Sequence, residues 1–297
     1  MFLENTVKLG IAPIGWTNDD LPELGGHIPF ETCISEMAQA GFEGCEVGNK
    51  FPRDPKTLQK ALQPLGLKVA SAWFSLYFTE DGRRQETLDG FRRHLRFLKA
   101  MEAKVIVVCE CGHSVQGSRA YVFDKPVFNE RQWEQLASGL NAAGQTAHSH
   151  GMKIVYHHHM GTGVQTLAEI DRLMNAVDPE LVYLLLDTGH ITYAGDSPVE
   201  LARRHLDRIA HVHLKDIRRE VLERVRTEQM SFLESVKAGV FTVPGDGIVD
   251  FPPVFDLLAR ARYTGWFVVE AEQDPQKANP LEYARKARKF IRKTTGL

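Results

Sequence analysis

The chain has 297 residues, with 36 Lys+Arg against 38 Asp+Glu for a formal net charge of −2. That balance gives no electrostatic case for a nucleic-acid binder, and no apolar run approaches the ~18 residues a membrane span needs. Apolar residues at 43% and charged residues at 25% fit a globular protein with a real core, which the length allows to be one domain or two. The opening MFLENTVKLG has no basic stretch leading into an apolar one, so no secretory signal is expected. The four cysteines lack a C-x-x-C pair and point to reduced thiols and a cytoplasmic location, Cys111 being the one near a strand end.

In chain order, short runs rich in Val, Ile and Leu predict strands over 8–12, 44–48, 68–74, 105–110, 153–159, 182–187, 209–214 and 266–270. These runs are continuously apolar, as strands of a parallel sheet buried on both faces should be. Amphipathic stretches between them predict helices over 30–40, 55–64, 88–101, 133–150, 166–177, 198–206, 251–261 and 281–291. A glycine precedes the strand in AQAGFEGCEV, QPLGLKVAS, HSHGMKIVY and RYTGWFVVE, where a helix C-cap should sit. Eight strand–helix units without a linker predict an α/β fold, a single (β/α)8 TIM barrel spanning residues 1–297. A doubly wound sheet would carry a glycine-rich phosphate loop early, and APIGWTNDD after the first strand is not one. Long connections are expected at about 111–131 and 217–239. The second reads as helical, and it packs either on the barrel rim or on a partner subunit.

A barrel of this kind forms its active site from the C-terminal ends of its strands. The residues there are Trp16 and Asn18, Glu46 and Asn49, Phe74, Glu110, His157 to His159, Asp187 with His190, His213 with Lys215 and Asp216, and Glu270 with Glu272. So much buried charge calls for a cation or a polar substrate. His211 and His213 share one face of their strand, as do His157 and His159, while His158 points outward toward the helices. Mixed imidazole and carboxylate donors suit Mn²⁺, Co²⁺, Fe²⁺ or Zn²⁺ better than Ca²⁺ or Mg²⁺. Asp187 can equally cap a turn at Thr188–Gly189, and Asp246 in PGDG can reach the cleft or simply form the turn.

The segments GIAPIGWTNDDLPELGG, CEVGNKFP, VYHHHMGTGVQT, LLLDTGH, HVHLKD, VPGDGIVDF and GWFVVEAEQDP resemble the xylose-isomerase-like barrels and, within them, the inosose dehydratases of inositol catabolism. The resemblance covers essentially the whole chain. It implies one divalent metal, Mn²⁺ or Co²⁺, on Asp187, His213 and Glu270, with a strand-five histidine where family members carry glutamate. His159 is taken as that ligand, with His157 the alternative. It further implies loss of water from a small cyclic keto-polyol, 2-keto-myo-inositol (scyllo-inosose), with glutathione associated by resemblance alone. His190, Lys215 and His157 are the candidates for proton transfer, and Trp16, Glu46, Asn49, Glu110 and Asp246 for binding the ring. A ketose epimerase and a non-catalytic sugar-binding barrel are the alternatives; no nucleic-acid or membrane partner is expected, and a homo-oligomer is left open.

Overall fold

The computed structural model describes residue 2 and residues 6–297. The chain alternates strands and helices: β1 (Val7–Ile11), α1 (Phe30–Gln39), β2 (Gly44–Glu46), α2 (Pro55–Leu62), β3 (Lys68–Ser71), β4 (Trp73–Leu76), α3 (Arg84–Ala100), β5 (Val105–Glu110) and α4 (Glu130–His148). It continues through β6 (Lys153–His157), α5 (Leu167–Ala176), β7 (Val182–Asp187), α6 (Thr188–Ala194), α7 (Pro198–Arg204), β8 (Ile209–Leu214) and β9 (Asp216–Ile217). The last elements are α8 (Arg219–Thr227), α9 (Phe232–Ala238), β10 (Phe241–Thr242), α10 (Phe251–Arg260), β11 (Gly265–Val269) and α11 (Pro280–Thr295).

The main sheet runs β3-β2-β1-β11-β8-β7-β6-β5-β4, all parallel. Its two end strands, β3 and β4, are consecutive in the chain and meet at Ala72. They are two halves of one bent strand, the first paired with β2 and the second with β5. The predicted third strand is therefore present but bent, and the sheet closes as an eight-stranded barrel. Every residue of β5 is buried, which is why its sequence shows no polar alternation.

Local chemistry sets the helix starts. Asn129 with Gln132, Thr166 with Glu169 and Ser231 with Glu234 each form a reciprocal capping box at the heads of α4, α5 and α9. Of the four glycines before strands, Gly41, Gly66 and Gly151 take positive φ of 87°, 68° and 71° as helix ends require. In the fourth joint that role falls to Arg262 at φ 55°, not to the glycine.

Two structural additions cover the C-terminal end of the barrel. A helix, α6, begins directly at Thr188 where a simple turn was the alternative, because Asp187 Oδ1 accepts from Gly189 N and His190 N at 2.8 and 2.7 Å. The two long connections meet: Tyr121 bridges to Ser231, and Val122 N donates to Met230 O at 3.2 Å. Val122, Met160, Tyr193, Val225, Phe232 and Phe241 form an apolar cluster separate from the barrel core, so α8 and α9 pack on the barrel's own rim. No helix among the described residues is long and apolar enough to cross a membrane.

Candidate active site

The apolar strands deliver their last residues to a cavity of about 460 Å³ at the C-terminal end of the barrel. His157, His159, His213, Glu270 and Glu272 line its floor, and Trp73, Ser75, Tyr77, Asn49 and Gln116 its walls. Backbone carbonyls fix the imidazoles at the end of β6. Nδ1 of His157 lies 2.7 Å from His158 O and Nδ1 of His159 lies 2.9 Å from Met160 O, so each carries its hydrogen there and leaves Nε2 as a lone pair. His158 faces the helix layer, as its strand parity requires, and its Nε2 accepts from Asp187 N at 3.3 Å.

Four donors converge. Asp187 Oδ2 lies 3.5 Å from both His157 Nε2 and His213 Nδ1, and His213 Nδ1 lies 3.6 Å from Glu270 Oε2. Asp187 Oδ2 and His213 Nδ1 are buried and make no hydrogen bond. Two ligands held about 2.1 Å from one divalent ion stand roughly 3.0–3.4 Å apart, close to these separations. The buried, unsatisfied oxygen and nitrogen fit a cation, and the N/O donor set suits a transition metal. It is His157, not His159, that groups with Asp187 and Glu270, together with His190, and His213 reaches the same Asp187 oxygen through Nδ1; His159 groups instead with His190 and Glu272. The reason is depth, because His159 lies two residues farther along and its ring packs on His190 at 3.9 Å between centroids.

Behind this floor sits Lys215, fully buried. Its Nζ lies 2.5 Å from Glu270 Oε2, 2.7 Å from Glu272 Oε2 and 3.8 Å from Asp187 Oδ2. It is also 2.9 Å from His190 Nε2. Burial opposes the ammonium charge, but Glu270, Glu272 and Asp187 outweigh it and hold the lysine above its ordinary range. Burial and the neighbouring Glu270 push the Glu272 carboxyl up to about 8. Burial, then the neighbouring His157 and the Lys215 ammonium, keep His159 well below its ordinary value and so neutral. His190 and Lys215 thus stand behind the cavity wall instead of lining it, and Glu272 is the group through which they meet it. Gly189 makes this possible, since a Cβ there would lie 2.4 Å from Lys215 Cγ.

Several residues expected at the ring do other work. Trp16 is only 1% exposed, packs in the core and donates from Nε1 to Glu36 Oε2 at 2.6 Å. Asp246 accepts from Thr242 Oγ1 at 2.6 Å and Arg218 Nη2 at 3.2 Å and also pairs with Lys286, which holds it outside the cavity. Asn49 does reach the cavity rim, anchored by its backbone N–H on Asp19. Glu46 lines the cavity, yet its Oε1 is occupied by His211 Nε2 and His213 Nε2, both at 3.0 Å. Phe74 points outward to the rings of Phe91 and His94, while its neighbours Trp73 and Ser75 face the cavity. The alternation in WFSLY, with Trp73, Ser75 and Tyr77 on one face, was the available signal for that wall.

Glu110 is fully buried and accepts from Phe78 N, Thr79 N, Thr79 Oγ1 and Gly112 N, at 2.9 to 3.4 Å. It ties the loops after β4 and β5 and does not touch the cavity. Glu110→Ala leaves those donors unsatisfied and should lower the unfolding free energy by about 3 kcal/mol, read from urea unfolding. A variant of wild-type stability with a raised KM would return Glu110 to the substrate.

A family model described as xylose isomerase-like TIM barrel matches residues 26–294. Over 299 residues the chain is 62% identical to the inosose dehydratase of Geobacillus thermodenitrificans (strain NG80-2), with 100% of both chains covered. It is 56% identical to that of Clostridium tetani (strain Massachusetts / E88), again over 100% of both. Among solved structures, the IolI protein with a binding zinc atom superposes at a TM-score of 0.72 and 17% identity, covering 97% of this chain and 98% of that one. At that identity the likeness shows the fold alone. The 62% identity over the full length carries more: the chain belongs to the inosose dehydratases, within the xylose isomerase-like TIM barrels.

Proposed function

We propose that the chain removes water from 2-keto-myo-inositol (scyllo-inosose) to give a trihydroxycyclohexane-dione, with one Mn²⁺ or Co²⁺ held by His157, Asp187, His213 and Glu270. The observation that carries this reading is the convergence of those four donors, two of them buried without a hydrogen bond, on the floor of a polar cavity. When bound, a divalent ion supplies Lewis-acid polarisation of the ketone oxygen, which acidifies the neighbouring C–H. His159 Nε2, a neutral lone pair whose Nδ1 hydrogen is committed to Met160 O, takes that proton. The C–H electron pair becomes the ring double bond and the β-hydroxyl departs. Hydroxide leaves poorly, so Glu272 delivers a proton to it, and the resulting carboxylate is steadied by Lys215 Nζ at 2.7 Å. His159 and Glu272 offer their atoms within 4.8 Å of each other, on one side of the ring. The polar rim, with Asn49, Gln116 and the indole of Trp73, suits an uncharged polyol with an apolar ring face.

Incubation with scyllo-inosose should raise ultraviolet absorbance as the dione forms. Chelation should stop it, and added Mn²⁺ or Co²⁺ should restore it. Flat absorbance with interconverted sugars would identify an epimerase instead, and affinity for a polyol that survives chelation without turnover would identify a binding barrel.

A further inference from the structure

We infer that Glu46 is a positioning residue that fixes His213 as the Nε2–H tautomer and so aims its Nδ1 lone pair at Asp187 and Glu270. The inference rests on reading that quartet as a metal site. It starts from β2, only three residues long, which ends on Glu46. The register between β2 and β3 shifts between Cys45 and Glu46, which sets Glu46 opposite Ser71. Ser71 Oγ donates to Glu46 Oε1 at 2.5 Å, and His211 Nε2 and His213 Nε2 approach the same oxygen at 3.0 Å each. An ionised carboxylate only accepts, so both imidazoles must present N–H to it. With an ion bound at Nδ1 the imidazole is neutral with a single N–H, and Glu46 holds that hydrogen on Nε2, which leaves Nδ1 as the lone pair. That nitrogen is buried without a hydrogen bond, 3.5 Å from Asp187 Oδ2 and 3.6 Å from Glu270 Oε2.

The other side of the ring offers a rival, since Glu46, His211 and His213 Nε2 are themselves a cluster of possible ligands. Hydrogen bonds decide between the two. On the Glu46 side Oε1 already takes three hydrogen bonds, two of ordinary length from the histidines and a shorter one from Ser71. On the Asp187 side, Asp187 Oδ2 and His213 Nδ1 face each other at 3.5 Å with no hydrogen bond. His211 serves as the second donor that pins the carboxylate, which is why two histidines of one strand face serve one glutamate from the far side of the barrel. Outer partners of this kind typically change metal affinity by about 10–100-fold when altered.

The test uses the full chain freed of metal and titrated with Mn²⁺ by calorimetry. Glu46→Gln keeps the shape but replaces the anionic acceptor, and its Kd for Mn²⁺ should rise about 10–100-fold, while circular dichroism keeps the wild-type fold. Equal affinity in wild type and variant would overturn the inference. Mn²⁺ failing to bind even the wild type would instead remove the metal reading, and the inference with it. Independently of any variant, ¹⁵N–¹H correlation of the Zn²⁺-loaded wild type should show His213 protonated on Nε2. A proton on Nδ1, with Zn²⁺ on Nε2, would place the ion on the Glu46 side and overturn the assignment.

Discussion

Asp187→Asn should leave the barrel folded and strip it of both metal and turnover. The two oxygens of Asp187 have separate duties: Oδ1 caps α6 through Gly189 N and His190 N, and Oδ2 faces His157 and His213. Asparagine is as good a cap as aspartate, so the helix start survives while the anionic ligand is lost. Elemental analysis should fall from about one Mn²⁺ per chain to a trace. Dehydration of scyllo-inosose should drop by about 10³-fold or more, the several kcal/mol that Lewis-acid polarisation contributes. Near wild-type turnover by the metal-free variant would sink the proposed site.

Lys215→Met should be the most destabilising single change near the cavity. The ammonium is fully buried and is the shared cation of Glu270, Glu272 and Asp187. Removing one partner of a buried ion cluster typically costs about 3–5 kcal/mol, because the carboxylates left behind have neither water nor a counter-charge. Urea unfolding of the metal-free protein should show the loss. Saturating Mn²⁺ should recover part of it, since an ion bound only by the folded state stabilises that state. Unchanged stability would mean that Lys215 is not the counter-charge the geometry makes it.

Most of the fold was legible in the chain because buried parallel strands are unbroken apolar runs and the helices between them carry strong periodicity. The bend at Ala72 was not, since a strand that changes partners halfway has the same composition as one that does not. In the site, strand parity correctly turned His158 away from His157 and His159 and joined His213 to the cleft. Parity could not separate His157 from His159, which share a face and differ in depth by two residues. Nor could it separate a carboxylate that meets a ligand from one that holds a loop. Glu110 ends its strand as Glu270 and Asp187 end theirs, but four donors from neighbouring loops close around it. Those loops are distant in sequence from Glu110 or irregular, and no spacing rule announces them. Trp16 misled for a related reason: a tryptophan near a strand end reads as a ring platform, whereas here Glu36 of α1 takes its indole N–H inward.

The three consecutive histidines at the end of β6 leave that stretch with no room for a shift in register. His157 belongs with Asp187, His158 supports the backbone of Asp187 from outside the barrel, and His159 belongs with His190 and Glu272. Deleting or inserting a single codon just before them would reverse which face each ring takes, sending two imidazoles into the helix layer and one into the cavity. The repeat of one letter conceals three non-exchangeable positions, so a sequence that keeps all three histidines while shifting them by one has lost the site.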